Sequence, residues 1–313
     1  MNIPKRTIDE VKAKLLLEKD IKEIYVEGFF DRDLIKWVLI NLNLEHVRVY
    51  PITSIDLQEE ELKKLDLTNG NRQRVIATAA LLKDIKNTHS QVIFLIDADL
   101  DYILEIDDYP PPLKRTTYTC IDLLLWKKSI LERFLSLTLG KEVEEAFFSD
   151  LIQKTEDITK QTFLFRAAKE KIGVNWRLVD IADQIDKNNK FCFATYCNKI
   201  GDKNSARKII NEEFQDVLRS IEEKSKKLNK NKKIHGHDLI NVLAKILRNK
   251  GFNQSFLKNH DEFSRILLTN IEWKDVKEED DVEMISKHFS SSLPTCRIPD
   301  DCIDKNRYPL FMA

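Results

Sequence analysis

Residues 92–103 read VIFLIDADLDYI, five apolar residues running into Asp97, Asp99 and Asp101 at alternate positions. Like charges this close repel, and a carboxylate buried without a partner is costly. The stretch calls for positive charge nearby. A second acid pair lies in YVEGFFDRD, where Asp31 follows Glu27 by four residues. Hard cations such as Mg2+ (or Mn2+) take oxygen ligands, commonly one or two carboxylates with waters and substrate phosphates. An Asp-x-Asp at a strand end can offer both carboxylates to one ion, because alternate strand residues share a face. Glu27 on a neighbouring strand would be a further ligand or a general base. Such a set suits phosphodiester chemistry, in which the cation activates water and offsets charge on phosphate oxygens. Each acid alone is a weak signal, since strand ends also carry acids for turns and helix caps.

The elements that must position these acids alternate in the first third of the chain. Helical spacing over 8–18 leads to a strand at 22–28, a helix at 31–42 and a strand at 46–52. Thr68, Asn69, Gly70 and Asn71 open a further helix, and QVIFLID gives a third strand, apolar enough to be buried on both faces of a parallel sheet. The order predicts a doubly wound α/β unit, whose sites form beyond the carboxyl ends of the strands. Glu27, Asp97 and Asp99 fall there. YPPPLKR reads as a stiff loop and RTTYTCI as an edge strand. From Asp122 onward the chain reads as helices, LLLWKKSILERFLSL, RKIINEEFQDVLRSIEEKSKKL and HDLINVLAKILR among them. The last twenty residues, with Pro294, Pro299 and Pro309, read as an extended tail.

The 313 residues, 42% hydrophobic, allow one large domain or two modest ones. Charged residues make up 33% but nearly cancel, at a formal net charge of -1, so global charge announces no nucleic-acid binder. MNIPKRTIDE lacks the apolar core of a signal peptide, and no window has the apolar length of a membrane span. The five cysteines, an odd number without a C-x-x-C pair, read as reduced thiols in a cytoplasmic protein, and their spacing argues against zinc.

The joint pattern (apolar strand, Glu-Gly, Asp four later, helix, strand, helix, apolar strand, Asp-x-Asp) resembles the TOPRIM domain of topoisomerases, bacterial primases and OLD-family nucleases. The resemblance covers about residues 20–125 and matches Glu27, Asp97 and Asp99 to the family's acids. Asp31 looks like the second acid of the two-metal OLD-type nucleases. More narrowly, VEG-x-x-D, the Asp-x-Asp and TTYTCIDLLLW resemble a stand-alone TOPRIM-like family of bacterial defence loci, the toxic effector subunits (AriB-type) of the PARIS anti-phage system. That family usually shows Tyr-x-x-x-Glu where this chain has Tyr118 and Asp122. Asp122 would be a shorter metal ligand there, or the cap of the helix that follows.

The resemblance implies a TOPRIM-like catalytic domain over 1–125 and a mainly helical region over 126–313 for dimerisation, partner docking and substrate selection. It implies a Mg-dependent nuclease, a homodimer when active, held by a separate ABC-type ATPase subunit and released to cut tRNA. Glu27, Asp31, Asp97 and Asp99 would be its catalytic, metal-binding acids. An OLD-like DNA endonuclease keeps the same site with another substrate, and a non-catalytic regulatory module keeps only the fold. With no G-x-x-x-x-G-K-[ST] segment among seven glycines, any ATPase must be a separate protein.

Arg72 and Arg74, at the start of a helix opening on the same sheet edge, are candidates for holding a substrate phosphate. Lys114 and Arg115 could guide a nucleic-acid backbone or be surface charges. The run 224–233, six lysines in ten residues, is a solvated loop or a grip for RNA or an acidic partner, without an aromatic for base stacking. His235 and His237 suit metal ligation by type but read better as a turn, with Asp238 or a neighbour capping the next helix. Trp37 reads as core or interface, and Cys192 and Cys197 as small hydrophobes.

Overall fold

Among the described residues, six strands run in chain order as β1 (Arg6–Thr7), β2 (Glu23–Val26), β3 (Arg48–Pro51), β4 (Ile55–Asp56), β5 (Val92–Ile96) and β6 (Leu113–Arg115). The computed structural model describes residues 5–86, 88–107, 109–142 and 144–290. The main sheet is four-stranded, ordered β3-β2-β5-β6, and every pairing in it is parallel. β1 and β4 form a separate parallel pair. Parallel neighbours need crossovers: the helices Phe29–Asn41 and Asn71–Leu82 lie in the connections from β2 to β3 and on to β5, and the short helix Asp101–Leu104 in that from β5 to β6.

Successive side chains alternate across the sheet. Ile24, Val26, Ile93 and Leu95 enter one core, and Tyr25, Val92, Phe94 and Ile96 the other. Both faces are therefore covered, which is why β5 is apolar throughout. The second core is closed by the helices Ile8–Leu17 and Asn71–Leu82, through Val11, Leu15, Val75 and Leu82. The first is closed by Leu34 and Leu39, and also by Leu239, Leu243, Phe263 and Phe289 from far along the chain. The region after residue 125 thus packs onto the sheet, and no gap in the core marks that boundary. A third cluster joins Phe163, Phe165, Trp176, Tyr196 and Phe214 to Ile103.

The α/β class, the parallel sheet flanked by helices and the helical C-terminal region agree with the sequence reading. The edge strand does not lie where predicted. It occupies Leu113–Arg115, and the TTYTC segment leaves the sheet. There Thr116 Oγ1 donates to the Tyr118 carbonyl at 2.7 Å, and Asp281 Oδ1 accepts from Thr117 N at 2.8 Å. The β-branched threonines suggested a strand; side-chain hydrogen bonds turn the backbone instead. Residues 121–125 form a 3-10 helix whose N-cap is Cys120, so Asp122 is not a cap. RKIINEEFQDVLRSIEEKSKKL breaks into Arg207–Asn211 and Glu213–Ser225. Cys192 is exposed rather than packed, whereas Cys197 is buried. Trp37 packs against the first core, edge to face with Trp273 at 6.1 Å. The tail after residue 290, with Cys296 and Cys302, lies outside the described residues. Among the described residues no helix is long and apolar enough to cross a membrane.

Candidate metal centre

Glu27 follows β2 and Asp97 follows β5, two strands that pair directly. Both acids therefore emerge side by side at the carboxyl edge of the sheet. The main-chain N–H of Asp97 donates to Glu27 Oε1 at 3.0 Å. Asp97 Oδ1 in turn accepts from Ile121 N at 3.0 Å. Asp31 lies in the first turn of the Phe29–Asn41 helix, where Oδ2 accepts from Gly28 N at 2.7 Å. Each of the three carboxylates is thus fixed through one oxygen by a backbone donor, which orients the group without neutralising its charge.

A cavity of about 400 Å³ brings Glu27, Asp31, Asp97 and Asp122 together. Its far wall comes from the helices Gly236–Asn249 and His260–Leu268, through His237, His260, Ser264 and Arg265. His237 Nε2 stands 3.5 Å from Asp122 Oδ2, and its ring lies 4.6 Å from that of His260. Arg265 is turned to Asp33 Oδ2 at 2.7 Å. The helix carrying His237 starts hard against the acids. A Cβ on Gly236 would stand 2.2 Å from Cys120 Sγ and 3.1 Å from Asp122 Cβ. Glycine is the residue that permits this approach.

Burial and mutual repulsion set the electrostatics. Burial pushes the Glu27 carboxyl up to about 8, against the pull of the Asp97 N–H and with added repulsion from Asp99 and Asp31. Asp31 rises to about 6, from burial first and Asp122 next. Asp97 is held well above the carboxylate range by burial, then by Asp31 and Glu27. Clustered acids with raised pKa values are what a site looks like when its counter-charge has to come from a ligand. The donors are all oxygens, which suits a hard divalent cation in kind. Among the described residues, however, no three His, Cys, Asp or Glu side chains are arranged to hold one ion together.

Asp99 departs from the expected geometry. Its φ of 43° is in the left-handed region, which Asp tolerates better than most residues, and its N–H donates to Thr119 O at 2.7 Å. Strand alternation ends at Ile96, so Asp97 and Asp99 do not share a face. Asp99 turns towards Arg72 (3.6 Å) and His235 (3.9 Å) and lines a neighbouring cavity. Its pKa is raised by burial, with Arg72 opposing.

The basic candidates are mostly committed elsewhere. Arg72 donates to the Asp97 carbonyl at 3.2 Å, to Asp101 Oδ2 at 2.7 Å and to Tyr109 Oη at 2.9 Å. It braces the acid turn from behind and also answers the charge of Asp101. Arg74 donates to the carbonyls of Ile55 at 2.9 Å and Leu57 at 3.3 Å, a structural tie to β4. Arg115 pairs with Asp107 at 2.6 Å and lies over the Tyr102 ring at 4.4 Å. Lys114 lines a separate hollow with Asp280 and Glu283. In the lysine run, Lys224 pairs with Glu105 at 2.6 Å, Lys230 pairs with Glu156, and Lys232 lies over the Tyr102 ring at 4.1 Å. His235 is the N-cap of its helix without a side-chain cap bond, and Asp238 is held by Arg166 at 2.8 and 3.0 Å, so Asp238 does not cap.

Sequence reasoning set His237 aside, and missed Asn71, His260 and Ser264, as lining of the acidic cavity. The HGH stretch was the available signal, but nothing local ties residues 237 and 260 to an acid at 31. Comparison with known proteins finds no family model that matches the chain and no similar curated protein.

Proposed function

We propose that the protein is a divalent-metal-dependent nuclease whose cavity is built from Glu27, Asp31, Asp97 and Asp122, with Asp99 in the neighbouring cavity. One observation carries the reading. Four carboxylates from three separate segments line one cavity, and burial and repulsion raise the pKa of Glu27, Asp31 and Asp97. A fold keeps such a cluster at a cost that a bound cation would offset. These residues would hold Mg2+ or Mn2+, which when bound supplies an activated water and offsets charge on phosphate oxygens.

The chain's own groups do the remaining work. The Asp97 N–H fixes the Glu27 carboxylate, and Arg72 fixes the backbone carrying Asp97. With a cation bound, Glu27 would be held ionised, as a metal ligand or as the base that takes a proton from the attacking water. The helical region walls the cavity and limits which strands reach it.

On the resemblance to defence-locus TOPRIM proteins, the physiological role is that of a cytoplasmic toxic effector, homodimeric when active. A separate ABC-type ATPase would hold it, and it would cut tRNA after release. Metal-dependent cleavage of tRNA compared with plasmid DNA, lost in Glu27→Ala, tests this reading.

A further inference from the structure

Asp97 faces the acidic cavity, and two residues later Asp99 faces a second cavity of about 380 Å³. Cavities from roughly 300 Å³ upward accommodate small organic ligands, and they favour junctions between structural units. This one lies at such a junction. One wall is the segment 99–106 after β5, and the other is the end of the Glu145–Ile172 helix with Leu178 and His235.

We propose that this second cavity receives one unstacked nucleotide of a single-stranded nucleic acid, adjoining the bond held in the acidic cavity. The proposal rests on the nuclease reading for the identity of its ligand, and on the cavity's own lining for the rest. Leu100 and Leu104 on one side and Leu178 on the other give the apolar surfaces between which a base inserts. His235 also lines the cavity, with Nε2 3.9 Å from Asp99 Oδ1, and supplies a polar edge. Arg166 spends Nε and Nη2 on Asp238, which leaves Nη1 for a ligand. Lys169 lines the cavity beside the acids Asp99, Asp101 and Glu170, of which Asp99 and Asp101 are answered by Arg72 at 3.6 and 2.7 Å. Arg166 and Lys169 suit the phosphate attached to the inserted nucleotide. A base inside a duplex stays stacked, so only an unpaired strand enters without further cost.

The test measures binding in EDTA, apart from cleavage. Fluorescence anisotropy follows a labelled short oligouridine and a labelled duplex on the full chain, with wild type, Leu178→Trp, Lys169→Glu and Glu27→Ala. Leu178→Trp fills the cavity, Lys169→Glu reverses the charge of a half-buried group in the last turn of its helix, and a thermal melt checks that each variant is folded. The expected result is single-strand binding by wild type and Glu27→Ala, weakened about tenfold in both cavity variants, with the duplex bound less tightly than the single strand. The proposal is overturned if both cavity variants bind the single strand as wild type does, if the duplex binds equally well, or if wild type binds no single strand. Loss of the nuclease reading would look different: no cleavage with Mg2+, yet single-strand binding that still depends on Leu178 and Lys169.

Discussion

The amide of Asp97 donates to Glu27 Oε1 at 3.0 Å, tying the ends of two paired parallel strands through a side chain rather than through the sheet ladder. That bond stabilises a charged Glu27, yet the carboxyl still sits near 8, because burial outweighs it. The centre is held in shape and short of positive charge together.

Divalent cations should therefore stabilise the fold. Millimolar Mg2+ or Mn2+ is expected to raise the melting temperature of wild type, since a ligand at 100 times its dissociation constant adds about 2.7 kcal/mol. The Glu27→Ala, Asp97→Ala double variant should show no shift. Equal shifts in both proteins would place the ion elsewhere.

Without metal, pH should act through Glu27. The folded chain keeps this proton up to about 8, whereas the unfolded chain releases it near 4.3. Between those values the folded state binds more protons, so stability falls as pH rises through the window. Asp31 adds to the loss up to about 6. Glu27→Gln removes the Glu27 part. In EDTA its stability relative to wild type should rise by on the order of 1–3 kcal/mol between about pH 5.5 and about pH 8.5, read from urea midpoints. A constant difference would show that Glu27 is ionised throughout.

Gly236 should not accept a side chain. Gly236→Ala puts a methyl 2.2 Å from Cys120 Sγ, and a loss of about 1–3 kcal/mol is expected, with weaker metal stabilisation. Adding Cys120→Ala makes room and should recover most of the loss. Thermal melts of the two single variants and the double check this.

Arg74 separates a structural role from a phosphate-binding one. Arg74→Ala removes the ties to Ile55 and Leu57 and should cost about 1–3 kcal/mol of stability. Cleavage by the folded fraction should stay at the wild-type level. A stable variant with lost cleavage would restore Arg74 to substrate binding.

The sheet was legible because burial on both faces leaves an unbroken apolar run, as in Val92–Ile96, and because Glu27 and Asp97 follow their strands directly. Local backbone turns were not. The left-handed Asp99 breaks the two-residue alternation that predicted a shared face, and no neighbouring residue type signals it. The far wall was beyond reach for another reason. His237 and His260 meet Asp31 only because core packing of Leu239, Leu243 and Phe263 folds distant helices onto the sheet. The surroundings of the arginines were hidden in the same way. Their place at a helix start suited a phosphate, but Arg74 also meets carbonyls of β4 and its neighbour, which periodicity does not reveal.

The most direct test of the central claim is a cleavage assay on the purified full chain. tRNA, total RNA and supercoiled plasmid are incubated with Mg2+ or EDTA, beside Glu27→Ala. The expected result is discrete tRNA fragments with Mg2+, absent in EDTA and in the variant. Plasmid nicking with intact RNA would contradict the tRNA assignment and keep the nuclease. Intact nucleic acid under every condition, from a folded protein that Mg2+ does not stabilise, would contradict the claim that these acids form a metal-dependent nuclease centre.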